Sequence, residues 1–132
     1  MSYGQAAALQ AAVYQHLSAL PELAGTPVVD AIPKGQGGSS FVLIGSEEVR
    51  DQSDASGSGA EHRFTVSVIS EAAGFNAAKD MAVAISDALN TAALELSRGR
   101  LVGLWFQRAT ARRRDDGRVR RIDMTFRARV ED

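Results

Sequence analysis

The last third of the chain constrains the fold most. Residues 101–114 (LVGLWFQRATARRR) and 118–131 (RVRRIDMTFRARVE) are two long runs without a helical period, separated by Asp115, Asp116 and Gly117. The second run alternates, with Ile122, Met124, Phe126, Ala128 and Val130 on one side and Arg121, Asp123, Thr125, Arg127 and Arg129 on the other. That is the pattern of a half-buried strand. Two such runs predict a β-hairpin, and the alternation decides its register. A two-residue loop at Asp116-Gly117 sets Phe126 against Gln107 and Leu104 against Arg129, whereas a three-residue loop sets Phe126 against Phe106, Ala128 against Leu104 and Val130 against Val102. A one-residue slip turns a whole strand to the wrong face, so the second register is expected, with Gly117 in the left-handed position of a bulge-type turn.

Upstream, the periods change from segment to segment. Residues 3–20 read as an amphipathic helix, with Ala6, Leu9, Val13, Leu17 and Leu20 on one face, Ser2 and Gln5 as a capping box, and Pro21 forbidding continuation. A short extended piece, Pro27–Ile32, leads into a breaker-rich loop, Pro33–Ser40, and Phe41–Val49 reads as a strand. The polar, Gly/Ser-rich stretch Asp51–Ala60 predicts a mobile loop. His62–Ser70 alternates as a half-buried strand with Phe64, Val66 and Val68 inward. Then Phe75, Ala78, Ala82, Ile85, Leu89, Ala92 and Leu96 mark one long helix, with Asn76 as its N-cap, Asp80 in its first turn and Arg98-Gly99 at its end. This stripe is too short and too poor in flanking charge for a coiled coil, so a core-facing helix is expected. The order α-β-β-β-α-β-β defines an α+β fold, an antiparallel sheet with two helices on one face.

At 132 residues the chain is expected to form a single domain, residues 1–132. With no cysteine and two histidines, His16 and His62, it lacks the side chains for a disulfide scaffold, a thiolate zinc site or a cysteine nucleophile. No apolar run approaches the about 20 residues of a membrane span, and no leader-like segment precedes the first helix, so an untargeted cytosolic product is expected. No nucleophile elbow, phosphate loop or paired-histidine helix is present. Gly35–Gly38 with Lys34 reads as a linker, and both histidines read as non-catalytic. Glu47 and Glu48 point to opposite strand faces and so cannot share a substrate. No catalytic residue, metal site or cofactor is predicted.

Charge is distributed unevenly. The net charge of −1 hides a value of −7 for residues 1–97 and +6 for residues 98–132, where all eleven basic residues are arginines. The expected register sets Arg114 opposite Arg118 and Arg112 opposite Arg120, on a ribbon that also carries Arg113 and Arg121. Like charges facing each other across strands are unfavourable, and Asp115 and Asp116 relieve this only in part. Three readings follow: a solvated hairpin tip, a phosphate-binding ribbon, or a surface completed by carboxylates of another copy. The chain has its own candidates for the last in Glu47, Glu48, Asp51, Asp54 and Glu61. A surface complementary to a different surface of an identical copy makes a head-to-tail contact, closing a ring or growing a filament. Against nucleic acid stand the near-neutral total, the scarcity of lysine and the lack of aromatics spaced for base stacking. The register also puts Trp105 across from Arg127 on the face away from the core, as an interface anchor or as a satellite core residue under the first short strand.

Taken in order, LQAAVYQHL, VVDAIPKG, SFVLIG, EHRFTVSVIS, the alanine-rich helix ending DALN, RLVGLWFQ and RRIDMTFRARVE resemble the tail-completion or tail-terminator proteins of long-tailed phages and phage-like gene transfer agents. Ser39-Ser40 stands where members of that family commonly carry an aromatic-and-proline step. The resemblance implies a non-enzymatic virion protein at the head-proximal end of the tail, made in the host cytoplasm. It implies a hexameric ring on the end of the tail tube, contacting the major tail tube protein and the head-side connector, and surrounding the DNA path without reading sequence or touching a membrane. Combined with the charge argument, it leads to the expectation that Arg112, Arg113, Arg114, Arg118, Arg120, Arg121, Trp105 and Arg127 meet the acidic 47–61 region of the next subunit. Gln52, Ser53, Ala55 and Ser56 are expected to order on the tube or connector. The alternative from another class is a small nucleic-acid-binding domain using the same arginines on phosphates.

Overall fold

The structure is a computed structural model and describes residues 3–32, 40–53, 59–71, 74–90, 94–114 and 116–132. Its elements are α1 (Ala6–Ser18), a 3-10 turn (Pro21–Leu23), β1 (Val28–Val29), β2 (Phe41–Asp51), β3 (Gly59–Ser70), α2 (Asn76–Asn90), β4 (Arg100–Arg114) and β5 (Val119–Glu131). This is the expected α+β order. The strands form one sheet in the order β1-β2-β3-β5-β4. Four strands are antiparallel to their neighbours, and the two-residue β1 adds to β2 in parallel, which the sequence reading did not specify.

The centre of the hairpin has the expected register: Leu104 faces Ala128, Trp105 faces Arg127 and Phe106 faces Phe126. Outside that centre two irregularities shift it. One lies between Leu101 and Gly103, so Val130 opposes Leu101, not Val102. The other lies between Phe106 and Arg108, so Arg112 opposes Arg121, Arg113 opposes Arg120 and Arg114 opposes Val119, each one residue away from the expected pairing. An extra residue in one strand shifts the register of everything beyond it. The turn has Gly117 at φ 85°, as expected, preceded by Asp116 at φ 57°.

The core lies between the sheet and the two helices. Phe126 is fully buried, with its ring stacked on Phe64 at 5.7 Å and edge-on to Phe106 at 5.9 Å. Leu9, Val13 and Leu17 from α1 and Ala78, Ala82, Ile85 and Leu89 from α2 close the same cluster.

Several boundaries differ from the sequence reading. α1 starts at Ala6 with Gln5 as N-cap and no side-chain cap bond, so Gln5 does not serve as the third residue of a capping box; Ser2 lies outside the described residues. α2 ends at Asn90, yet Leu96, the last residue of the expected stripe, still packs on the core from non-helical backbone, as does Leu94; Ala92 lies outside the described residues. Asn76 is the first helical residue, and Asp80 lies beyond the first turn. β2 and β3 are longer than expected, taking in Asp51, Gly59 and Ala60 from the supposed loop. Residues 33–39 of the breaker-rich loop and 54–58 of the Gly/Ser-rich stretch lie outside the described residues. No helix among the described residues is long and apolar enough to cross a membrane.

Truncating the central ring tests this packing. Phe126→Ala should lower stability by about 3–5 kcal/mol, through lost burial and the cavity left between Phe64 and Phe106. Urea denaturation of the two proteins measures it.

Candidate assembly interface

The helices cover one face of the sheet; the other carries most of the charge. Because β5 alternates and pairs with β3 and β4, its polar side chains meet those of both neighbours in rows across the open face. One row runs Glu48, Arg63, Arg127, Trp105 over four strands. Trp105 is 45% exposed, and the Arg127 guanidinium lies 4.9 Å over its ring. β1 lies at the far edge of the same sheet, so it does not cover Trp105, and the satellite-core reading of this residue falls away. The indole rests instead over Gly103, where an added Cβ would come within 2.4 Å of it.

Glu61, expected on an exposed acidic segment, is buried on β3. Its carboxylate lies 3.4 Å from Arg127 Nε and 3.6 Å from Arg63 Nη2. Two residues assigned to opposite sides of a subunit contact, Glu61 and Arg127, thus meet within one chain. The Ser/Gly-rich sequence before Glu61 concealed this, because it gave no sign that β3 begins at Gly59.

Across the hairpin two pairs of arginines face each other, and each pair finds a partner inside the chain. On the open face Asp123 receives Arg112 at 2.9 Å and Arg121 at 2.8 Å, while Ser67 donates its hydroxyl to the same carboxylate. Burial works to raise the Asp123 pKa, but the hydrogen bonds from Ser67, Arg121 and Arg112 prevail and hold it below the usual carboxylate value. On the helix side Arg113 and Arg120 lie over the Phe75 ring at 5.7 and 5.5 Å, with Lys79 at 5.8 Å. Arg120 also donates to the Gly117 carbonyl at the turn. Neither Asp123 nor Phe75, which was expected only as the first residue of the core-facing stripe, was singled out from the sequence as a partner for these arginines. The position of Asp123 on the charged side of the β5 alternation, among five arginines within seven residues either way, was the signal available.

The remaining predicted residues lie at the sheet margins. Arg114 and Arg118 are exposed at the hairpin tip. At the other margin Glu48 is exposed and takes Arg50 at 2.9 Å, and Ser53 donates to exposed Asp51 at 2.7 Å. Gln52 Oε1 accepts from Arg129 at 2.8 Å. Asp54, Ala55, Ser56 and Asp115 lie outside the described residues. Between the margins the open face forms a groove of about 630 Å³, with Thr65 and Thr125 among its lining residues, Glu48 on the β2 side and Arg108 on the β4 side. Among the described residues, no three His, Asp or Glu side chains gather as a metal site.

The two histidines are structural. His16 is half-buried and joins the helices through Nε2 and the Ala88 carbonyl at 3.3 Å. His62 is fully buried, with Glu47 at 3.7 Å from Nδ1 and neither ring nitrogen hydrogen-bonded. Burial lowers its pKa below 6.5, and the nearby Glu47 carboxylate only partly counters this.

With the geometry in place, comparison with known proteins assigns the class. The profile of the family described as tail completion protein gp17 matches residues 11–131, and the chain belongs to that family. Among solved structures, the chain is similar to one in the virion of a native gene transfer agent particle, at 57% sequence identity and a TM-score of 0.91, covering 99% of this chain and 100% of that one. No curated protein matches. The chain is a structural protein of the virion tail.

Two measurements test these internal pairings. Asp123→Ala should cost about 1–3 kcal/mol in urea denaturation, since it leaves the buried Ser67 hydroxyl unpaired and Arg112 beside Arg121. Because His62 binds a proton less readily folded than unfolded, its contribution to stability is complete above pH 6.5 and is lost as pH falls below that value. Stability should therefore decline between pH 7 and pH 5, and His62→Gln should flatten that part of the profile.

Proposed function

We propose that the protein forms a ring that caps the head-proximal end of the tail tube, ends tube polymerisation and presents a surface to the head-side connector, with DNA passing through the opening unread. Binding and enclosure, with no catalysis, are its work. The observation that carries this reading is the separation of charge on one rigid sheet. The basic β4 and hairpin tip lie at one margin and the acidic second half of β2 at the other. A molecule whose opposite ends attract each other associates head to tail, and a closed rotation makes a ring. Family membership and the gene transfer agent match supply the setting.

In this reading Arg108, Arg114 and Arg118 face Glu47, Glu48 and Asp51 of the next copy. Arg112, Arg113, Arg120, Arg121 and Arg127 brace the surface through their own partners in the chain. Gln52 and Ser53, with residues 55 and 56 beyond them, project toward the tube or the connector. The nucleic-acid alternative is weakened by the same internal pairs, which occupy the guanidinium groups a phosphate backbone needs.

Electron microscopy of tail tubes polymerised with and without the protein tests the proposal. Rings at one tube end and a shortened length distribution are expected. Tubes of unchanged length with bare ends overturn it.

A further inference from the structure

We infer that subunits join through main chain as well as charge: β4 of one copy adds as a strand onto the open half of β2 in the next, so that one sheet runs on from subunit to subunit. This rests on the ring reading above and specifies its contact.

The first observation is two unpaired edges. β4 is the outermost strand, fifteen residues long, and Leu104 is the one residue along it that is buried. At the other end of the sheet, β1 pairs only with Val42 and Leu43. From Gly45 to Asp51 the outer edge of β2 has no strand partner among the described residues, and its side chains are exposed or half-exposed. Each edge presents a row of peptide N–H and C=O groups, a template for another strand. The chain closes off part of β4 itself, since the Phe106 N–H donates to Asn90 Oδ1 at 3.3 Å. The open stretch begins beyond the second bulge, at Arg108.

The second observation selects the partner. Residues 108–114 carry four arginines and no acid, whereas residues 46–51 carry Glu47, Glu48 and Asp51 against Arg50 alone. A second β4 is repelled from β4, and a second β2 from β2. The unlike edges attract, which excludes a two-fold contact and leaves the head-to-tail one. Direction agrees as well. Strands alternate through β2, β3, β5 and β4, so a rotation about an axis inclined to the strands brings β4 antiparallel to the neighbouring β2, and the inclination supplies the offset along the strands, because within one sheet Thr110 is level with Leu43 and Trp105 with Glu48.

The helix layer fits the same junction. On the covered side, Phe106 (42% exposed), Ala109 and Val83 of α2 (58% exposed) border an apolar groove of about 330 Å³ beside β4. At the opposite end, α1 presents Ala7, Ala11 and Tyr14 next to β1 and Ile44. Joining the sheets sets this α1 face over that groove.

The absence of cysteine makes the test clean. Glu48 and Thr110 both lie on the open face, at opposite edges of one sheet. Three strand spacings, roughly 14 Å, separate them across the sheet, and four residues, roughly 13 Å, along it, beyond the about 7 Å that a disulfide spans. Glu48→Cys combined with Thr110→Cys, oxidised in the assembled protein, should give a ladder of linked chains on a non-reducing gel, where either single variant stops at a dimer. Glu48→Cys with Arg108→Cys, two residues along the same face, covers a shift in register. Amides of residues 108–114 should exchange hydrogen at least tenfold more slowly in the assembly than in the monomer. Rings with neither cross-links nor slowed exchange overturn strand addition and leave the ring reading intact. A ladder from open-ended filaments supports strand addition and overturns the ring. A chain that stays monomeric at millimolar concentration overturns both.

Discussion

β5 cannot bury both of its faces. Apolar and polar side chains alternate along it from Ile122 to Glu131, and it lies between two other strands. One face must therefore form the floor of the core and the other must remain available to solvent or to a partner. Two helices on the apolar face satisfy the first demand. The second sends Arg121, Arg127 and Arg129 to the same exposed side, where they meet polar residues from β3 and β4. The distribution of charge over the molecule follows from this one strand and its two neighbours.

A face so rich in guanidinium groups would repel itself if its acids were placed at random. They are not. Asp123 lies between Arg112 and Arg121, and Glu61 lies against Arg63 and Arg127. On the other side of the hairpin an aromatic ring takes the place of a carboxylate, with Phe75 under Arg113 and Arg120. Four of the hairpin's arginines are thereby paired along its shaft. Local pairing stabilises the subunit.

The parts of this arrangement that were legible in the sequence are those marked by side chains of contrasting character. Phe106 against Phe126 and Trp105 against Arg127 could be paired because an apolar-charged alternation fixes which face each side chain takes. Beyond Gln107 that contrast vanishes. Ala109 and Ala111 are small, and residues 112–114 are identical arginines, so a one-residue bulge leaves the pattern unaltered while changing every cross-strand pair. The end of α2 was hidden for a related reason: Leu96 reaches the core from non-helical backbone at a spacing from Leu89 that a helix would also produce. Glu61 was misplaced because glycine and serine upstream suggested a loop, whereas β3 starts two residues before it and carries its carboxylate under cover.

The shortness of β1 has a consequence for anything seated along β2. Two residues occupy the rim at Val42 and Leu43, and past them no strand among the described residues pairs with it. An incoming strand can travel along it only until it meets Val28 and Val29. A longer β1 would shut the berth, and a missing one would let the visitor drift. On the proposed subunit contact, the smallest strand in the sheet would serve as a gauge of alignment, setting a limit to sliding that charge attraction alone, being diffuse, does not impose.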